Sequence, residues 1–87
     1  MLYKTYLEWH DLEIAPDDIP PANEPIIVTL ETISGERIVW LDVYLKELEN
    51  DEVIFCTKQP NEYGQVEECA VYYPVVAWAY PPYPFAR

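Results

Sequence analysis

The chain has 87 residues, 51% of them hydrophobic and 15% aromatic, with sixteen Asp and Glu against five Lys and Arg. That length allows one domain, near the size at which a single core suffices, and the aromatic content excludes a disordered acidic tail. The formal charge of -11 repels phosphates and anionic lipid surfaces, so direct nucleic-acid and membrane-surface binding are disfavoured and a charged partner should be basic.

The first residues, Met1 to Glu8, contain no unbroken apolar core and no small-residue cleavage site, and no stretch approaches the roughly 18 apolar residues of a membrane span. A cytoplasmic chain is expected. Nine prolines spread along the sequence leave few windows long enough for a helix, so strands carry the reading. The first is expected over Leu2 to Trp9, where Tyr3, Thr5, Leu7 and Trp9 share one parity and Lys4 and Glu8 the other. From Asp11 to Pro25 the chain reads as an extended loop wrapping the sheet, because residues before proline are pushed away from helical geometry.

A hairpin is predicted from Ile26 to Leu45, turning at Ser34-Gly35. Centring the register on that turn sets Ile26 opposite Val43, Val28 opposite Leu41 and Leu30 opposite Val39 on one face, with Thr29 opposite Trp40 and Glu31 opposite Ile38 on the other. The charged run Lys46 to Glu52 connects this hairpin to a second, Glu52 to Thr57 with Val66 to Tyr73, around Asn61-Glu62-Tyr63-Gly64. Symmetric pairing there sets Cys56 opposite Cys69 and Ile54 opposite Val71. The two thiols are then neighbours, read either as a redox pair or as buried, reduced cysteines, with the second preferred in a reducing compartment. Val75 to Tyr80 reads as a last strand. The segment from Pro81 to Phe85 is expected to pack its aromatics on the sheet rather than serve as a proline-motif ligand. The expected fold is therefore mostly β: a single small antiparallel sheet or partly open barrel of two hairpins plus N- and C-terminal strands, with one short helical turn near residues 44–50.

Three segments resemble a group of short phage and prophage proteins, a domain of unknown function numbered 551. The run Asp18-Ile19-Pro20-Pro21-Ala22-Asn23-Glu24-Pro25-Ile26-Ile27-Val28-Thr29 is similar to that family's Leu-Pro segment followed by Val-Leu-Val. Val43-Tyr44 matches its middle strand, and Val75-Val76-Ala77-Trp78-Ala79-Tyr80-Pro81-Pro82 resembles its closing Val-Thr-His-Trp-Met-Pro-Leu-Pro. Ala77 stands where the family usually has His, and Tyr80 where it usually has Pro. The resemblance implies a small β fold and a phage or mobile-element origin, and it implies no activity.

Few residues fit a reaction. One His (His10), one Ser (Ser34) and two strand cysteines do not make a nucleophilic triad or a hydrolytic zinc site. His10 is expected to be exposed or to cap the end of the first strand. Glu67 and Glu68, adjacent on a strand, point to opposite faces and cannot act on one atom. Asp11 to Asp18 lacks the glycine of a calcium loop, and Gly35 and Gly64 form no phosphate cradle. No enzyme, metal or cofactor is expected. Most aromatics are assigned to the core, with Tyr63 at a hairpin tip and Tyr83 in the tail as candidate interface anchors.

The remaining signal is the grouping of carboxylates, Glu8, Asp11, Glu13, Asp17 and Asp18 in one cluster and Glu47, Glu49, Asp51 and Glu52 in another. These form a candidate surface for a basic region of a host protein, such as the nucleic-acid groove of a defence nuclease. Their plainer reading is that of solvated, solubilising loops. An alternative role is that of a structural homo-oligomer joined through exposed strand edges.

Overall fold

The computed structural model describes residues 7–82. Six strands form one antiparallel sheet: β1 (His10–Asp11), β2 (Ile26–Glu31), β3 (Arg37–Glu47), β4 (Val53–Pro60), β5 (Val66–Ala70) and β6 (Val75–Ala79), in the spatial order β1-β6-β2-β3-β4-β5. The sheet is not closed, and its only helical element among the described residues is a single 3-10 turn at Glu49–Asp51. Among the described residues no helix is long and apolar enough to cross a membrane.

The predicted first strand lies mostly outside the described residues. Its described part, residues 7–9, is not strand; the pairing falls instead on His10 and Asp11, opposite Trp78 and Ala77. The loop that follows does wrap the sheet. Leu12 donates its N–H to the carbonyl of Val76, and further on Asn23 donates to that of Leu45.

The β2–β3 hairpin exists, with a turn one residue longer than predicted. Thr32 donates its N–H to Glu36 and accepts the N–H of Gly35, whose φ is +84°. This is a three-residue loop, Ile33-Ser34-Gly35, with glycine in the left-handed position that such loops require. The added residue moves the register by one, so Val28 faces Trp40, Thr29 faces Val39, Leu30 faces Ile38 and Glu31 faces Arg37. Ile26 nevertheless still faces Val43, as expected, because a bulge at Leu41 and Asp42 takes the slip back. Asp42 has φ +57°, a conformation that Asp tolerates better than most residues. Between turn and bulge the faces of β3 are exchanged: Ile38 and Trp40 point inward, while Val39 and Leu41 are 55% and 64% exposed.

The second predicted hairpin is the β4–β5 pair, and the same turn geometry corrects it in the same way. Asn61 donates to Gln65 and accepts the N–H of Gly64, at φ +77°. Cys56 consequently faces Ala70, and Thr57 faces Cys69. The thiols therefore point to opposite faces, and both are free. β5 ends at Ala70, before Val71, and so Ile54 has no partner there. The charged connection is itself a hairpin turn: β3 pairs with β4 from Tyr44↔Cys56 to Glu47↔Val53, which makes β2 to β5 a continuous meander.

The chain must then return from β5 to β6. Ala70 is level with Tyr44 of β3, and Val75 with Ile38. On a flat sheet those points would be about 28 Å apart, whereas five residues span at most about 17 Å. The sheet is therefore rolled, bending where β3 carries its bulge. Inside the roll Ile26, Val28, Leu30, Val43 and Trp78 form the buried core, flanked by Leu12, Ile38, Trp40, Phe55, Val71, Tyr73 and Val75.

Candidate functional site

The structure divides the predicted acidic surface in two. In the N-terminal cluster, Asp11 accepts the backbone N–H groups of Glu13 and Ile14 at 2.9 and 3.3 Å, Glu13 pairs with Arg37 at 2.7 Å, and Asp18 pairs with His10 at 2.7 Å. These carboxylates hold their own loop. Asp18 also offers its carbonyl to the indole N–H of Trp78 at 2.6 Å, and His10 stacks on Trp78 with ring centroids 4.0 Å apart. His10 is thus a half-buried packing residue, neither exposed nor a cap. Glu8 and Asp17 are exposed and make no ion pair among the described residues.

The second cluster differs. Leu48 donates its N–H to Glu52 at 2.7 Å to close the β3–β4 turn, and Asn50 and Asp51 adopt φ of +63° and +61°. Glu47, Glu49, Asp51 and Glu52 are all exposed around this turn, and no described basic side chain pairs with any of them. Glu13 sits against Arg37 at the start of β3 and Glu47 lies at its end, so the clusters occupy different ends of the longest strand.

Of the aromatic anchors, Tyr63 is 80% exposed at the tip of the β4–β5 turn, and Tyr83 lies outside the described residues. The core takes fewer aromatics than expected: Trp78 is buried, while Trp9, Tyr72 and Tyr80 are exposed. Tyr72 and Tyr73 lie in the short β5–β6 connection, where Tyr73 turns inward and Tyr72 outward.

A polar cluster lies outside the candidate residues that the sequence singles out. On the outer face, Glu68 of β5 accepts hydrogen bonds from the hydroxyl of Tyr44 and the ammonium of Lys46, both on β3. The hydrogen bond that Tyr44 donates to Glu68, together with desolvation and the adjacent negative charge, pushes its pKa up to about 12. The same contacts hold Lys46 above its ordinary value, through its hydrogen bond to Glu68 first, and hold Glu68 below its own, through Lys46 and then Tyr44. Beneath them burial pushes the Cys56 thiol up. At neutral pH the Tyr44 phenol therefore stays protonated between the ionised Glu68 carboxylate and the buried Cys56 thiol. Lys58 faces Glu68 across the β4–β5 ladder, yet its ammonium lies 6.0 Å over the Tyr44 ring and makes no ion pair among the described residues. The cluster spans three strands, so only a correct register would have revealed it; two of the five cations, Lys46 and Lys58, flanking Tyr44 were the available signal.

Among the described residues no group of three or more His, Cys, Asp and Glu side chains is placed to hold a metal ion. Comparison with known protein families, with curated proteins and with solved structures returns no match.

Proposed function

We propose that this chain is a small acidic interaction module that docks on a basic protein surface, of the kind that otherwise holds nucleic acid. The observation that carries this reading is the β3–β4 turn. Its four carboxylates, Glu47, Glu49, Asp51 and Glu52, are exposed, unneutralised by any described base, and set around the half-exposed apolar side chains of Leu48 and Val53. Charge around an apolar centre is what a polar rim and a desolvated anchor require of an interface. The N-terminal cluster contributes less, since three of its five carboxylates are engaged, Asp11 and Asp18 within the segment itself and Glu13 with Arg37 of β3. The likeness to phage and prophage proteins supports a host protein as the partner, with the module acting as an inhibitor in the host cytoplasm.

The test uses the immobilised full chain and a variant carrying Glu47→Gln, Glu49→Gln, Asp51→Asn and Glu52→Gln. The wild type should retain a nucleic-acid-binding protein that the variant loses, that duplex DNA displaces, and that about 0.5 M salt releases by screening. Retention that is indifferent to the variant and to DNA would sink the proposal.

A second reading, a homo-oligomer, has one observation in its favour: β5 is an edge strand whose outer side pairs with no other strand among the described residues. Glu67 and Glu68 at its middle oppose self-pairing, because antiparallel copies would set like charges near one another. Light scattering should accordingly report a monomer.

A further inference from the structure

The β3–β4 ladder ends at Tyr44↔Cys56. Two residues further in the same register, Asp42 would stand opposite Lys58, an ordinary cross-strand ion pair. The bulge prevents it. At Asp42 the two strands part, and a cleft of about 360 Å³ opens between them, lined by Asn23, Pro25, Asp42, Tyr44, Lys58 and Glu68. That volume falls within the roughly 300–1,000 Å³ typical of small-molecule sites.

The charges of this cleft are divided unequally between committed and uncommitted groups. Glu68 is satisfied by Tyr44 and Lys46, which ties the phenol to the wall of the cleft. Asp42 and Lys58, one on each wall, make no ion pair among the described residues. Two lining residues, Asn23 and Asp42, stand at positive φ, +65° and +57°, the left-handed backbone that Asn and Asp adopt more readily than other non-glycine residues. A simple anion would meet Lys58 but also two carboxylates, and a simple cation would meet the reverse conflict. A ligand bearing both charges at one end meets neither.

We propose that this fork binds a small zwitterion of the α-amino-acid class. Its carboxylate lies against Lys58, its ammonium against Asp42, and an apolar side chain rests on Tyr44 and Pro25, with the Asn23 amide beside it. The site is independent of the acidic turn, so either assignment stands without the other.

The experiment is an amide NMR titration of the full chain with leucine, phenylalanine and tryptophan, each beside its N-acetyl and its carboxamide analogue. Shifts should centre on Asn23, Asp42, Tyr44 and Lys58, and blocking either charged end should weaken binding at least about tenfold, the worth of one charged hydrogen bond. Lys58→Met, which keeps the stem of an exposed side chain, should weaken the free amino acid and leave the carboxamide unchanged, a coupling that general loosening does not produce. Asp42→Asn, compatible with the left-handed backbone, should show the same coupling with the N-acetyl compound. The proposal is overturned if no amino acid shifts these resonances at about 10 mM, or if blocked and free compounds bind alike.

Discussion

The two halves of the rolled sheet are held by different physics. Around β2, β6 and the first part of β3, Ile26, Val28, Leu30, Val43 and Trp78 are almost wholly excluded from water, and at roughly 25 cal/mol per Å² of buried apolar area this is where stability resides. In β4 the only fully buried residue is Cys56, and β5 has none. The second half buries less, chiefly Leu45 and Cys56 with Phe55 and Val71 packed on the core edge, and is fastened besides by ladder hydrogen bonds and by the outer network of Tyr44, Lys46 and Glu68. Its weaker fastening coincides with the exposed features of the acidic turn, the strand fork and the tip at Tyr63. Binding surfaces are drawn from the low-stability end of a fold, and the bulge at Asp42 is the boundary between the two regimes.

The comparison breaks most readily at Trp78, which joins the wrapping loop to the core through Asp18 and His10. Trp78→Ala should cost about 3–5 kcal/mol, a large share of the stability of so small a domain, with chemical denaturation as the measurement. In the wild type, amides of β2 and β6 should exchange with solvent more slowly than those of β4 and β5. Equal protection would mean that the halves unfold as one. Next in size is Cys56→Ser, which buries a hydroxyl and should cost about 1–3 kcal/mol. Cys69→Ser, at a half-buried site on the opposite face, should stay within about 0.5 kcal/mol. Comparable costs at both positions would return the cysteines to a shared environment.

The same division explains what the residues disclose before folding. The β class, the glycines at both turns and the pairing of Ile26 with Val43 are legible because they rest on local chemistry and on the arrangement of apolar runs. Turn length was not legible. Ile38, Val39, Trp40 and Leu41 are all apolar, so either parity offers an apolar face and alternation cannot choose between a two-residue and a three-residue loop. Beside Gly64 both parities are polar, with Lys58 and Gln59 on one strand and Glu67 and Glu68 on the other, so alternation again cannot choose the turn length, and the shorter turn sets Cys56 opposite Cys69. Asp42, a lone carboxylate inside Val-Trp-Leu-Asp-Val-Tyr-Leu, was the one local hint of a bulge. The Tyr44–Glu68–Lys46 network lay beyond reach because it depends on two registers at once.

The turns give a finer test. A Cβ added at Gly35 or Gly64 meets nothing within 4 Å, so Gly35→Ala and Gly64→Ala should each cost only the strain of positive φ, about 1 kcal/mol. Equal costs by equilibrium denaturation would show that the two hairpin turns are the same device set in differently packed surroundings. A much smaller apparent cost for Gly64→Ala would mean that β4 and β5 already open before the core does.

The smallest effect concerns the outer network and has a defined pH window. Glu68, with its pKa lowered, adds stability above its ordinary 4.5 that is lost as pH falls through the depressed value. Tyr44, raised from 10.0 to about 12, adds stability that is complete below 10.0 and lost as pH rises through about 12, and the raised Lys46 is lost on the same alkaline side. Protection of the β5 amides, taken relative to the intrinsic exchange rate at each pH, should therefore be greatest between these limits, with little change in the core. Glu68→Gln removes the acceptor charge, so the late phenolate absorbance of one tyrosine should return towards 10. If Tyr44 still titrates late in that variant, desolvation rather than the Glu68 hydrogen bond sets its pKa, and the second half is held by packing much as the first is.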